Sequence, residues 1–157
     1  MKRIIFYFYL YAAIICKVFS EYLYMKFIIK AYKFVGVRFL GIPEYIDYHS
    51  HLDPSGGLEL GKGTVISTNV IILTHDWSFL KKMKVRGEDC SQELSVKALK
   101  SVSIGDETFI GAGSIILPGS RIGKFCIIGA GAVVKGEFED YSVIIGSPAR
   151  RIKDIRD

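Results

Sequence analysis

Residues 104–134 read IGDETFIGAGSIILPGSRIGKFCIIGAGAVV, and an aliphatic side chain returns at every sixth position: Ile104, Ile110, Ile116, Ile122, Ile128 and Val134. Glycine follows four of these anchors at once, at Gly105, Gly111, Gly123 and Gly129. The fourth residue after each of the first five is small: Thr108, Ser114, Ser120, Cys126 and Ala132. Two independent positions therefore keep one six-residue period. A helix repeats near 3.6 residues and a strand at 2, so a strict six marks a larger unit stacked on copies of itself. Each hexapeptide is read as a short strand and a turn. The branched anchor points into a narrow interior, the next residue makes a corner where glycine tolerates unusual φ, and the small residue sits where bulk would clash with the stack.

The same phase extends backwards through Leu60-Gly61, Ile66 and Ile72, with Thr64 and Val70 at the small position. Tyr48 and Pro54 share the register but are poor anchors, so the first coil is expected to be irregular. From Ile72 to the next anchor-phase residue, Ala98, the count is one hexad plus about twenty residues. An extruded loop over about 78–97 follows, and Lys81, Lys82, Lys84, Arg86, Glu88, Asp89 and Glu93 make it a solvated one.

These anchors resemble those of the hexapeptide-repeat acyltransferases, in particular the sugar and polysaccharide O-acetyltransferases of the maltose and galactoside type. The resemblance implies a mainly β fold, a left-handed parallel β-helix of three faces with about 18 residues per coil. The segment Gly146-Ser147-Pro148-Ala149-Arg150 is similar to the ending that closes the coil in such relatives.

Ahead of the repeats, residues 1–38 hold Lys2, Arg3, Lys17, Lys26, Lys30, Lys33 and Arg38 against the single acid Glu21. The whole chain of 157 residues carries only +5, so the remainder is close to neutral and offers no electrostatic case for nucleic acid. Fourteen of the twenty aromatics lie in residues 1–48. The uncharged run Ile4–Cys16 is too short for a spanning helix, and no small-residue cleavage site follows it. Residues 1–45 are read as a helical arm, with peripheral membrane contact through residues 1–38, and residues 46–157 as the β-helix domain. Packing of the arm on the coil or at a subunit contact, and a single span stretching to Phe19 past Lys17, are the alternatives. Cys16, Cys90 and Cys126 form neither a disulfide framework nor a metal spacing, which points to a reducing cytoplasmic setting, at the inner face of the membrane.

The best site candidate is Thr74-His75-Asp76-Trp77 at the root of the loop. It is similar to the family's histidine segment, in which the histidine is the catalytic base; imidazole suits proton removal from a hydroxyl at neutral pH. The resemblance further implies acetyl-CoA as co-substrate, with Phe109, Ala112, Ala130, Lys135, Arg150 and Lys153 at the coenzyme-contacting positions, and a homotrimer with its site between subunits. Asp53, His51, Asp76 and Trp77 are expected around the acceptor, a carbohydrate that the arm suggests is lipid-linked. His49 and His51, two apart on a strand, point the same way as a metal pair would, but no third ligand is placed and no metal is expected.

The resulting expectation is direct transfer of acetyl from acetyl-CoA to a hydroxyl of a sugar or surface-polysaccharide precursor, with no acyl-enzyme. Alternatives keep the fold but change the acceptor to serine, an amino sugar or an antibiotic. Others discard the reaction for a carbonic-anhydrase-like zinc protein or a non-catalytic scaffold. The Gly111-Ala112-Gly113 and Gly129-Ala130-Gly131 runs are not dinucleotide fingerprints, because the hexad continues through both.

Overall fold

The computed structural model describes residues 2–87 and 98–157. Of the fifteen short strands among these residues, fourteen form three parallel faces, each made of every third strand. The first face orders β1 (Arg38–Phe39), β4 (Leu58–Leu60), β7 (Val102–Ile104), β10 (Arg121–Ile122) and β13 (Glu137–Phe138). The second holds β2 (Tyr45–Ile46), β5 (Val65–Ile66), β8 (Phe109–Ile110), β11 (Ile127–Ile128) and β14 (Ser142–Gly146). The third holds β3 (His51–Leu52), β6 (Ile71–Ile72), β9 (Ile115–Ile116) and β12 (Val133–Val134). A last strand, β15 (Ala149–Asp154), turns back antiparallel on β14 and closes the end of the coil.

Register confirms the period and locates its irregularities. Ile104, Ile110 and Ile116 pair with Ile122, Ile128 and Val134, each three hexads further on. In the first coil Ile46 pairs with Ile66 and Leu52 with Ile72, which is slightly more than three hexads, so its anchors are Ile46 and Leu52 rather than Tyr48 and Pro54. Across the excursion Leu60, Ile66 and Ile72 pair with Ile104, Ile110 and Ile116, so the insertion is one hexad longer than the count to Ala98 implied. The difference lies at Ala98. It is buried, but it belongs to the neck: its carbonyl accepts Asp76 N–H at 2.8 Å, and Leu99 bridges antiparallel to His75. Residues 88–97 of the expected loop, and Cys90 with them, lie outside the described residues; the part before them includes α3 (Phe79–Arg86).

The interior is a column of branched side chains. Ile46, Ile66, Ile72, Ile110, Ile116, Ile128, Val134 and Ile144 are wholly buried. The small position is buried too, and its hydroxyls close the turn behind them: Thr64, Ser114 and Ser120 each donate to the carbonyl three residues back, at 3.1, 2.8 and 2.6 Å. That explains serine and threonine there. The glycine after each anchor has a different reason from the one expected. At Gly105 an added Cβ would come within 2.6 Å of the Gly123 carbonyl carbon, and at Gly111 within 2.6 Å of Ala130 N, so coil-to-coil approach forbids a side chain. The positive φ falls two residues later, at Gly63, Asn69, Glu107, Gly113, Gly119, Phe125 and Gly131.

The arm comprises α1 (Lys2–Lys17) and α2 (Glu21–Val35). Ser20 caps α2 by accepting Leu23 N–H, and Gly36 ends it in the left-handed conformation at φ 116°. One face packs on the first coil, burying Tyr24, Ile28 and Tyr32; the Tyr24 hydroxyl donates to the Ile46 carbonyl and that of Tyr32 to the Ser50 carbonyl at 2.8 Å. Burial of each such side chain contributes about 1.5–3 kcal/mol. The other face leaves Ile4, Phe8, Tyr11, Ile15 and Phe19 between 64% and 81% exposed. No helix among the described residues is long and apolar enough to cross a membrane. The coil itself begins at β1, ahead of the border expected at residue 46.

Candidate active site

Pairing of β3 with β6 sets the site. With Leu52 opposite Ile72, the chain beyond β3 runs beside the chain beyond β6, and Asp53 comes to lie against Thr74 and His75. The Asp53 carboxylate is only 6% exposed and is bonded on every side. Ser55 N–H donates to Oδ1 at 3.0 Å. Thr74 N–H and its hydroxyl each lie 2.8 Å from Oδ2, and His75 Nδ1 lies 2.6 Å from the same oxygen. Burial alone would push this carboxyl up. The hydrogen bonds from Ser55 and Thr74 outweigh it and hold the group well below the usual carboxylate range, so Asp53 is ionised at neutral pH.

An ionised Asp53 can only accept, so His75 Nδ1 carries a proton, and in the neutral ring the lone pair is then on Nε2. The side chain of His75 is 36% exposed, whereas its partner is buried. Gly56 makes the arrangement possible. Its N–H donates to Thr74 Oγ1 at 2.8 Å, and a Cβ there would stand 2.1 Å from the Thr74 carbonyl oxygen.

His75 opens on a cleft of about 160 Å³ that it shares with Asp76, Lys100 and Lys135, walled by Leu73 and Leu117. Asp76 accepts Ser78 N–H at 2.8 Å, and the side-chain and backbone hydrogen bonds of Ser78, with the Lys100 and Lys135 charges, draw its carboxyl below the ordinary range. The structure thus gathers His75, Asp53, Asp76 and Lys135 with Thr74 of the same segment, and adds Ser55 and Lys100, which sequence reasoning did not single out. The expected acceptor role of Asp53 meets a carboxylate whose two oxygens are already engaged.

The other named residues do not line this cleft. His51 lines a separate groove of about 600 Å³ between the arm and the first coil, together with Arg3, Phe6, Leu10 and Tyr48. His49 Nδ1 is 3.0 Å from Asp47, so His49 and His75 attach to different carboxylates, and no three metal-type side chains converge among the described residues. Trp77 is 48% exposed at the start of the excursion, and Phe109 projects outward from β8. Ala112 and Ala130 stack at one corner, where Gly131 N–H donates to the Ala112 carbonyl. Arg150 and Lys153 are exposed on β15. Cys126 is buried, and burial pushes its thiol up.

Residues 101–136 match the bacterial transferase hexapeptide (six repeats) family. The chain is 28% identical over 119 residues to a putative lipopolysaccharide biosynthesis O-acetyl transferase of Escherichia coli K12, covering 75% of this chain and 61% of the relative. It is 30% identical over 113 residues to the galactoside O-acetyltransferase of Lactococcus lactis, covering 72% and 51%. Among solved structures, a maltose O-acetyltransferase from Clostridium difficile 630 superposes with a TM-score of 0.57 at 29% identity, over 76% of this chain and 57% of that one. Residues 101–136 therefore carry the hexapeptide repeats of that family, and the chain shares the left-handed parallel β-helix fold of these acetyltransferases. It spans about half to three fifths of the length of these two curated relatives.

Proposed function

We propose that this chain is an acetyl-CoA-dependent O-acetyltransferase acting on a hydroxyl of a sugar or surface-polysaccharide precursor, with His75 as general base. The observation that carries this is the Asp53 Oδ2 to His75 Nδ1 contact of 2.6 Å beside an open cleft. It selects the tautomer of the neutral ring in which Nε2 is free to act as the base. His75 takes the acceptor's hydroxyl proton as that oxygen attacks the thioester carbon, and returns the proton to the departing thiolate. Asp53 holds the tautomer and steadies the imidazolium formed between the two steps. A route through a cysteine is disfavoured at Cys126, since a buried thiol with a raised pKa is a poor nucleophile.

The relatives named as sugar and lipopolysaccharide O-acetyltransferases support the acceptor class. Of the six positions assigned to the coenzyme, Phe109, Ala112, Ala130, Arg150 and Lys153 keep that reading, whereas Lys135 lines the His75 cleft and is considered with the acceptor. A homotrimer is supported by the outer surfaces of the coil. The first face carries Arg38, Glu59, Arg121 and Glu137, whereas the second shows Val65, Phe109 and Ile127 and the third Ile71, Ile115 and Val133. Two apolar faces beside a charged one fit a self-association that buries only the apolar pair. Contact of the arm with the cytoplasmic leaflet rests on its exposed apolar stripe and its basic residues.

His75→Ala is the test. Acetyl transfer from acetyl-CoA to galactosides or maltose, followed by thiol release, is expected to fall about 10²–10⁴-fold with the melting temperature and oligomeric state retained. A variant that keeps near-full rate removes His75 from the role.

A further inference from the structure

Charge in the cleft is divided unequally between engaged and free groups. The carboxylates are occupied: Asp53 by Ser55, Thr74 and His75, and Asp76 by Ser78. The two ammonium groups are not. Among the described residues neither Lys100 nor Lys135 has a side-chain hydrogen bond or an ion pair, although both charges reach Asp76. Lys100 is also directed: a Cβ built on Gly119 would meet its Cδ at 3.6 Å, so the stem lies across that corner and carries its head along the cleft wall. The backbone beneath is pinned by Lys100 N–H donating to the Thr74 carbonyl at 2.8 Å, one residue from the base.

Two such cations lining one cleft beside the His75 imidazole make a receptor for an anion. The phosphates of the donor are a poor fit for it, because the pantetheine arm separates them from the thioester that the base must serve. We propose that Lys100 and Lys135 select an acceptor that is itself anionic, a sugar bearing a carboxylate or phosphate near the hydroxyl to be acetylated. This rests on the reading of His75 as the base of an acetyl transfer to a sugar. An exposed ion pair contributes modestly, so each lysine supplies about a three- to fivefold preference and the two together about tenfold or more. The preference weakens as salt screens it.

The experiment compares the full-length protein with Lys100→Ala, Lys135→Ala, the double variant and Lys100→Glu. It uses matched probes: galacturonate against galactose, and glucose 6-phosphate against glucose. Binding is measured by calorimetry without acetyl-CoA, and thiol release with it. Tighter binding of the charged member of each pair, lost in the double variant and inverted toward the neutral sugar in Lys100→Glu, is the expected result. Equal binding of charged and neutral sugars, or no binding of the charged ones, overturns the proposal. So does a double variant whose loss falls on the KM for acetyl-CoA, or equally on kcat for both kinds of acceptor, since the lysines would then serve the donor or the reaction's oxyanion. Anion-selective binding with no thiol release from any acceptor would retain this inference and remove the acetyltransferase reading instead.

Discussion

Asp53 and His75 stand 22 residues apart in the chain, yet Oδ2 of the first lies 2.6 Å from Nδ1 of the second. The contact follows from the register of the first coil, which sets Leu52 opposite Ile72 and so brings the ends of β3 and β6 side by side. Asp53→Asn keeps the size of the side chain but can offer its amide rather than an oxygen to the ring, permitting the wrong tautomer. The expected result is a fall in kcat of about 10²-fold or more with KM for acetyl-CoA little changed, read by steady-state thiol release.

The same carboxylate predicts how stability depends on pH. Its folded-state pKa is depressed, so its contribution is fully present above the ordinary carboxylate value of about 3.9 and is lost as pH falls below it. Melting temperatures from pH 6 to pH 2 should show wild type losing its advantage over Asp53→Asn below about pH 4. A gap that stays constant over that range would contradict the assignment.

Gly56 lies under the site without touching the base. Gly56→Ala would drive a methyl into the Thr74 carbonyl, which itself accepts from Lys100 N–H, so the neck must shift. Both the melting temperature and kcat are expected to fall, the latter by about tenfold or more, because about 1 Å of misplacement suffices for such a loss.

Ile116 anchors the third face and is wholly buried between Ile72 and Val134. Ile116→Ala should cost about 2–5 kcal/mol in denaturant unfolding. A cost under about 1 kcal/mol would mean that the column is loosely packed.

The arm's two faces can be tested apart. Phe8→Asp and Ile15→Asp alter only exposed positions, so they should abolish co-sedimentation with anionic vesicles while leaving the melting temperature within a few degrees. Tyr32→Phe removes a buried donor to the Ser50 carbonyl and should do the reverse, lowering stability by about 0.5–1.5 kcal/mol without altering vesicle binding.

The hexad was legible from residues alone because each anchor answers to its own coil: a branched side chain inward, a glycine where the next coil passes, a hydroxyl that closes its own turn. These are short-range demands repeated at a constant interval, and so they appear as a written period at Ile104, Ile110 and Ile116. His75 was singled out for a different reason, its place at the root of an interruption in that period together with the resemblance of its Thr-His-Asp run, and its role as base is our proposal. What residue order could not show was which groups touch it. Asp53 and Lys100 approach His75 only because the first coil runs slightly longer than three hexads and the next carries the inserted excursion, and such register offsets bring no signal at the residues they join. The arm divides in the same way: its apolar and basic content is a matter of composition, but which face packs on the coil and which remains exposed was decided by the shape of the first coil against which Tyr24, Ile28 and Tyr32 are buried.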